Sequence, residues 1–362
     1  MFSSAGAVHG GPPQARLLEA LKCEGEGHRF VSATSNPQED SNEIQVLHFD
    51  EEASSLRHVA SYTHPEAATA ICPAGVDSDH LLTASPTGVA LWKLQEDLPE
   101  VVSEHPDPGS VKELGQLAKA SIGHVTSLAT QPTQQEPKIA AGREQGVSLF
   151  TLGSLTPTEN LEIPGDPRPH VDRQVRRCTW DPHTPRVLCC AYDTAAILWD
   201  SRDSARPTQS FTAHKYGATD IDFNPNRPMV IMSAGEDRLV KFWDLRHTQA
   251  PIRVLAGHTH WVTTARYNRF HDQLVLSAGT DGAVNLWRVS SISSSPILDY
   301  DGEPGMKTET MDSKVNTYDD HEEAVYSAAW SASDAWVFAS LSFDGRVVVS
   351  FVPSTEKYKI LL

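Results

Sequence analysis

Residues 230 to 246 read VIMSAGEDRLVKFWDLR. Two apolar runs flank a polar turn, the pattern of two short strands joined by a hairpin, yet Ser233, Asp237 and Trp243 put polar groups where hydrocarbon would serve. Forty-four residues on, LVLSAGTDGAVNLWRV sets Ser277, Asp281 and Trp287 in the same relative places. A histidine stands 19 residues before each serine, His214 and His258. One module is being used more than once.

The ladder extends in both directions. His170, Cys189, Asp193 and Trp199 keep intervals of 19, 4 and 6, and His321, Ser340 and Asp344 keep 19 and 4, with Ser350 in place of the indole. Two degraded copies follow the same frame: His64, Thr83 and Trp92 lack the aspartate, and Gly123-His124 leads to Ala140, Glu144 and Phe150. Ahead of them ARLLEAL, HRFVSAT, NEIQVLHF and LRHVASY read as four strands without the polar set. Self-similarity at 40 to 45 residues with four short strands per unit is the signature of propeller blades. The sequence therefore predicts an all-β, seven-bladed β-propeller with four antiparallel strands per blade, one domain over residues 1–362.

Gly-His opening the units and Trp-Asp closing a third strand resemble the WD40 family; ILWD and KFWD match fully, whereas ALWK, SLFT, NLWR and VSFV depart from it. The physical reading of the polar set is a buried chain from indole N–H to hydroxyl to imidazole to carboxylate. Each member satisfies its neighbour, and because unpaired buried polar groups are costly, the chain fixes a loop and two strands in register. A His–Ser–Asp set in three blades, with Cys189 for the serine in a fourth, is a scaffold, since a hydrolase needs one nucleophile beside one cleft.

Composition narrows the function classes. A net charge of −17 without a basic stripe excludes a phosphate-tracking surface, so protein partners are expected and nucleic acid is not. No apolar run approaches the roughly 18 residues of a membrane span, and the amino terminus lacks a charged-then-apolar leader. Five cysteines without a Cys-x-x-Cys pair are expected to be free thiols, which fits a cytosolic or nuclear protein. His258, His260 and His271 lack a Cys or acidic ligand at zinc spacing, and no phosphate loop, nucleophile elbow or paired catalytic carboxylates occur, so no metal, cofactor or catalytic residue is assigned. Residues 291–315 are read as an acidic, Ser/Pro/Gly-rich insertion in blade six and 95–110 as a weaker linker in blade two. The tail KYKILL, 357 to 362, is read as the closing strand of blade seven.

Several stretches narrow the resemblance: QARLL, HFDEE, DIDFNPN, RYNRFHDQLVLSAGTDGAV and the long carboxy-terminal run beginning HEEAVYSAAW are similar to the family of EARP- and GARP-complex-interacting WD40 proteins, the tumour-suppressing subchromosomal transferable fragment candidates. Residues 65–165 diverge most. The resemblance implies a non-enzymatic adaptor for multisubunit vesicle tethers, serving endosomal recycling and endosome-to-trans-Golgi transport. It would be cytoplasmic, without direct membrane insertion, held peripherally at those membranes by its partners, and a monomer within a larger assembly. Two other classes compete. Trp-Asp-x-Arg at 199–202 and 243–246 resembles substrate receptors of cullin-4 ubiquitin ligases, which would dock an adaptor through Arg202 and Arg246; DFNPN faintly resembles chromatin-associated scaffolds. Interface hot spots favour Trp, Tyr and Arg on rigid supports. Side chains beside polar-set members should share one face, which nominates Tyr216, Glu236, Arg238, His260, Trp261, Thr280, Glu322, Glu323 and Phe343 as the protein-binding surface of blades five to seven.

Overall fold

The computed structural model describes residues 5–23, 27–38, 42–75, 79–94, 112–133, 136–164, 173–203, 206–296 and 312–361. Each repeat unit folds into a four-stranded antiparallel sheet, and seven such sheets stand around a common axis as blades. In blade five the strands are Ala218–Phe223, Val230–Gly235, Leu239–Asp244 and Arg253–Ala256, from the axis outward. Blade one gains a fifth strand, Lys112–Glu113, parallel to Ser55–His64.

Packing explains why the middle strands read as unbroken apolar runs. All six residues of Val230–Gly235 are buried, because a blade has a neighbour on each side. Ile231 packs towards blade four with Leu198 and Trp243, while Met232, the next residue, packs towards blade six with Val262 and Tyr267. The core is accordingly seven interblade clusters, the last joining Val337 and Leu341 of blade seven to Leu18 and Phe49 of blade one.

Threonines clasp the inner strands together near the axis. Thr219 and Thr263 each follow the opening residue of an inner strand, Thr126 immediately precedes one, and they donate their hydroxyls to the Val262, Val325 and Val175 carbonyls at the start of the next blade's inner strand, at 2.6, 2.7 and 2.5 Å. Thr69 does the same to Val125. The three remaining blades carry Arg16, Arg176 and Tyr326 at that place.

Ring closure differs from expectation. The tail folds as a helix, Ser354–Leu361, with the Pro353 carbonyl accepting from the Glu356 and Lys357 amides. Glu356 forms a buried ion pair with Arg288 of blade six at 2.6 Å. The outer strand of blade seven comes instead from the other end of the chain: Ala5–Gly10 pairs antiparallel with Arg346–Phe351, Val8 opposite Val348. The chain then crosses to blade one through a close backbone approach. A Cβ on Gly345, whose φ is +83°, would lie 2.2 Å from the Pro12 carbonyl oxygen, so only glycine fits there.

Both flanks of the segment read as an insertion belong to blade six. Ser290–Ile292 forms a buried 3-10 turn, and Asp312 accepts from the Ser291 amide at 2.8 Å and pairs with Arg253 at 3.0 Å. The outer strand Ser313–Tyr318 starts immediately after. Residues 297–311 lie outside the described residues, as does the whole of 95–110.

Closure by the amino terminus is directly testable. The pair Val8→Cys and Val348→Cys, on facing strands, should form a disulfide on oxidation and raise stability by about 3 to 5 kcal/mol, read by denaturant midpoint with and without reductant. Failure to cross-link would contradict the pairing.

Candidate protein-binding face

The loops entering each inner strand and the turns between the two middle strands emerge on one rim, here the upper face. Buried polar chains hold them. In blade five the Trp243 indole donates to Ser233 Oγ at 2.9 Å, the Ser233 hydroxyl meets His214 Nε2 at 2.8 Å, and His214 Nδ1 meets Asp237 Oδ1 at 2.7 Å. Blade six repeats this through Trp287, Ser277, His258 and Asp281 at 2.8, 2.8 and 3.0 Å. Donor counting then fixes the imidazole: Nε2 accepts and Nδ1–H donates to the carboxylate. Room for the direct contact comes from the glycine after the Ser-Ala pair, since a Cβ on Gly235 would stand 2.4 Å from the His214 ring.

Burial lowers the His214 pKa more than Asp237 raises it, so the pair is a neutral imidazole on a carboxylate and not a salt bridge. Burial alone would raise Asp237; hydrogen bonds from His214 and Lys241 instead hold it far below the usual carboxylate range. Ser233 and Ser277 are at most 1% exposed and each is spent linking two side chains, so neither can reach a substrate.

The other blades depart in instructive ways. In blade seven Ser342 stands at the glycine position, and the imidazole of His321 reaches Asp344 through it: Nε2 to Ser340 at 2.7 Å, Nδ1 to Ser342 at 2.8 Å, and the Ser342 hydroxyl to Asp344 at 2.5 Å. Blade two keeps Trp92, Thr83 and His64, with the Glu66 carbonyl replacing the missing carboxylate. The chain expected in blade four is not assembled among the described residues. Cys189 cannot replace the hydroxyl, and Trp199 Nε1 is buried without a hydrogen-bond partner among the described residues. Asp193 there pairs with Arg173 at 3.5 Å, and His170 lies outside the described residues.

On the upper face stand the side chains nominated from the sequence. Tyr216, Trp261 and Phe343 are 53%, 48% and 47% exposed. Arg238, His260, Glu322 and Glu323 are exposed as well, while Glu236 and Thr280 are half-buried. The half-buried pair is committed to local structure: the Glu236 carboxylate accepts from the Gly217 amide at 3.3 Å, and Thr280 Oγ1 meets His260 Nδ1 at 2.5 Å. Trp261 lies against His260, ring centroids 5.2 Å apart. Arg238 has φ +68°, the position that Gly282 and Gly345 fill in the next two blades, so an exposed arginine is kept at a backbone cost of about 1 kcal/mol. Arg16 was not expected here. It lies over Phe343 at 4.0 Å and Tyr326 at 5.2 Å, a blade-one residue completing a blade-seven cluster, and nothing local in QARLL signals it.

The lower face carries two further groups. Arg202 and Arg246 each fold back on their own motif's aspartate, Asp200 and Asp244, with Nη2 to Oδ2 distances of 2.6 Å in both blades. His28, Glu51 and Asp334 have potential metal-binding atoms within 4.8 Å of one another, but both His28 nitrogens are engaged, Nδ1 by Ser331 at 2.7 Å and Nε2 by Glu51 at 2.5 Å. No helix among the described residues is long and apolar enough to cross a membrane.

The polar chains predict stability changes. Asp237→Ala leaves the buried His214 Nδ1–H unpaired and should cost roughly 1 to 3 kcal/mol by thermal melt, with Asp281→Ala alike and Glu144→Ala close to neutral. Burial pushes His321 down to about 4, below its ordinary 6.5, so the unfolded chain takes up a proton that the folded chain refuses. Stability should therefore fall by up to about 3 kcal/mol as pH drops from 6.5 to 4, less in His321→Asn; equal slopes would exclude His321 as the source.

A family model described as EIPR1 beta-propeller matches residues 3–287, and a WD domain, G-beta repeat, matches 312–349. The EARP and GARP complex-interacting protein 1 of Homo sapiens is 30% identical over 392 aligned residues, covering 100% of both chains. The EARP-interacting protein homolog of Danio rerio is 32% identical with the same coverage, and EARP-interacting protein 1 of Caenorhabditis elegans is 28% identical over 96% of each chain. These names describe interacting proteins, not catalysts. With its seven blades and full-length similarity, the chain belongs to the EIPR1 β-propeller family.

Proposed function

We propose that this chain is a non-enzymatic adaptor that binds multisubunit vesicle-tethering complexes of the EARP and GARP type and presents its upper face to them. The observation that carries the reading is the similarity, over the full length of both chains, to proteins named for interaction with those complexes. Three exposed aromatic residues on loops held by buried polar chains give that reading a surface, because rigid aromatic and arginine side chains make the strongest interface anchors. In this role the protein serves endosomal recycling and endosome-to-trans-Golgi transport from the cytoplasm, held at membranes by its partners.

Co-purification from cells tests it. Tyr216→Ala combined with Arg238→Glu should reduce capture of tether subunits about tenfold or more without lowering the melting temperature, since neither side chain belongs to a buried chain. Arg202→Ala with Arg246→Ala should leave capture unchanged. Undiminished capture by a well-folded upper-face variant would move the interface elsewhere, and recovery of a cullin-4 adaptor lost only in the lower-face variant would replace the reading.

A further inference from the structure

The inner strands leave a polar cavity of about 150 Å³ on the axis, and its charge runs against that of the protein. The chain carries a net −17, yet the cavity is lined by Arg16, Arg176, Arg177 and Arg266 against only Glu19 and Asp220. Two of the four arginines are neutralised. Arg177 contacts Glu19 at 3.2 Å and Asp220 at 3.8 Å, and Arg266 pairs with Asp220.

The other two occupy places in the ring where four blades have a threonine clasp. Arg16 donates to the backbone carbonyls of Ala15 and Phe343 at 2.8 and 2.9 Å and lies over two aromatic rings, so its orientation is fixed while its charge meets no carboxylate among the described residues. Arg176 is exposed and forms no hydrogen bond or ion pair among the described residues. It sits in blade four and Arg16 in blade one, so the two face the cavity from well-separated blades. The third exception, Tyr326, is 37% exposed with its ring 6.0 Å from Phe343. The clasp is absent at three of seven places, where two arginines and a tyrosine stand instead, side-chain types enriched at interface hot spots.

We infer that the upper mouth of the channel is a socket for an acidic side chain of a bound protein segment. Arg16 and Arg176 take its carboxylate, and Tyr326 and Phe343 pack the apolar residues beside it. Charge complementarity selects this occupant: two uncompensated guanidinium groups at the mouth of a narrow channel focus positive potential there, whereas the acidic remainder of the surface repels the same ligand. The aromatic flank favours a peptide over a small free anion. This inference rests on the upper face being the contact surface, and it names the chemistry of what is contacted.

Fluorescence anisotropy with the purified full chain tests it, using a fluorescein-labelled peptide of alternating Glu and Leu and its Gln–Leu counterpart. The Glu peptide should bind about tenfold more tightly at low salt and lose that advantage as salt rises. Arg176→Gln should weaken binding about fivefold with an unchanged melt, Arg16→Gln by as much or more, and Arg202→Gln on the lower face not at all. Equal affinity for both peptides, or unchanged binding in the well-folded Arg176→Gln variant, would overturn the socket. Equal affinity for free glutarate and the Glu peptide would overturn the peptide assignment. Because no tether is present in this assay, the socket can fail while tether capture stands, and capture can fail while peptide binding stands.

Discussion

A buried imidazole must be satisfied at both nitrogens, and the upper face depends on that requirement. In blades five and six the histidine arrives on the loop before an inner strand and finds its serine on the second strand and its aspartate in the following turn. A loop, a strand and a turn within some two dozen residues are tied at one point where water cannot substitute for a lost partner. Loops that would otherwise be the most mobile parts of a β-structure become rigid supports for Tyr216, Trp261 and Arg238. Blade seven shows that connectivity matters more than the particular residue: where Ser342 replaces the glycine, the hydroxyl carries the link that geometry no longer permits directly.

Closure of the ring supplies what the polar chains cannot. Each blade is apolar on both faces, so an open array would leave two uncovered sheets, and Ala5–Gly10 seals the gap by pairing with a strand about 340 residues later in the chain. The carboxy terminus, released from that task, covers blade six with a helix anchored by the Arg288–Glu356 pair. Arg288 follows Trp287 where blades four and five have the aspartates that hold Arg202 and Arg246, so a departure from the Trp-Asp pattern marks a tertiary contact.

Much of this was legible in the residues. Intervals of 19, 4 and 6 are set by strand and turn lengths, and they located the blades because buried polar groups cannot drift relative to one another. The tail differs from its sequence pattern for a physical reason: KYKILL alternates like an edge strand, but Pro353 followed by Ser-Thr-Glu is a helix-start signal and prevails. AGAVHG, at 5 to 10, is short and glycine-rich, and its strand character exists only against Val347 and Val348. Blade four has the spacing without the hydroxyl, so spacing alone could not reveal that Trp199 Nε1 lacks a partner among the described residues. Arg16 and Arg176 carry no local signature, because the ring they interrupt is a relation between seven blades.

The measurement closest to the centre of this account is the ¹⁵N chemical shift of the histidine ring nitrogens. In the folded protein at neutral pH, His214 and His258 should be Nδ1-protonated, with Nε2 accepting from serine, and the pKa of His214 should lie below the ordinary imidazole value of 6.5. An Nε2-protonated ring at either position, or titration of His214 near that ordinary value, would contradict the buried chain on which the face is built.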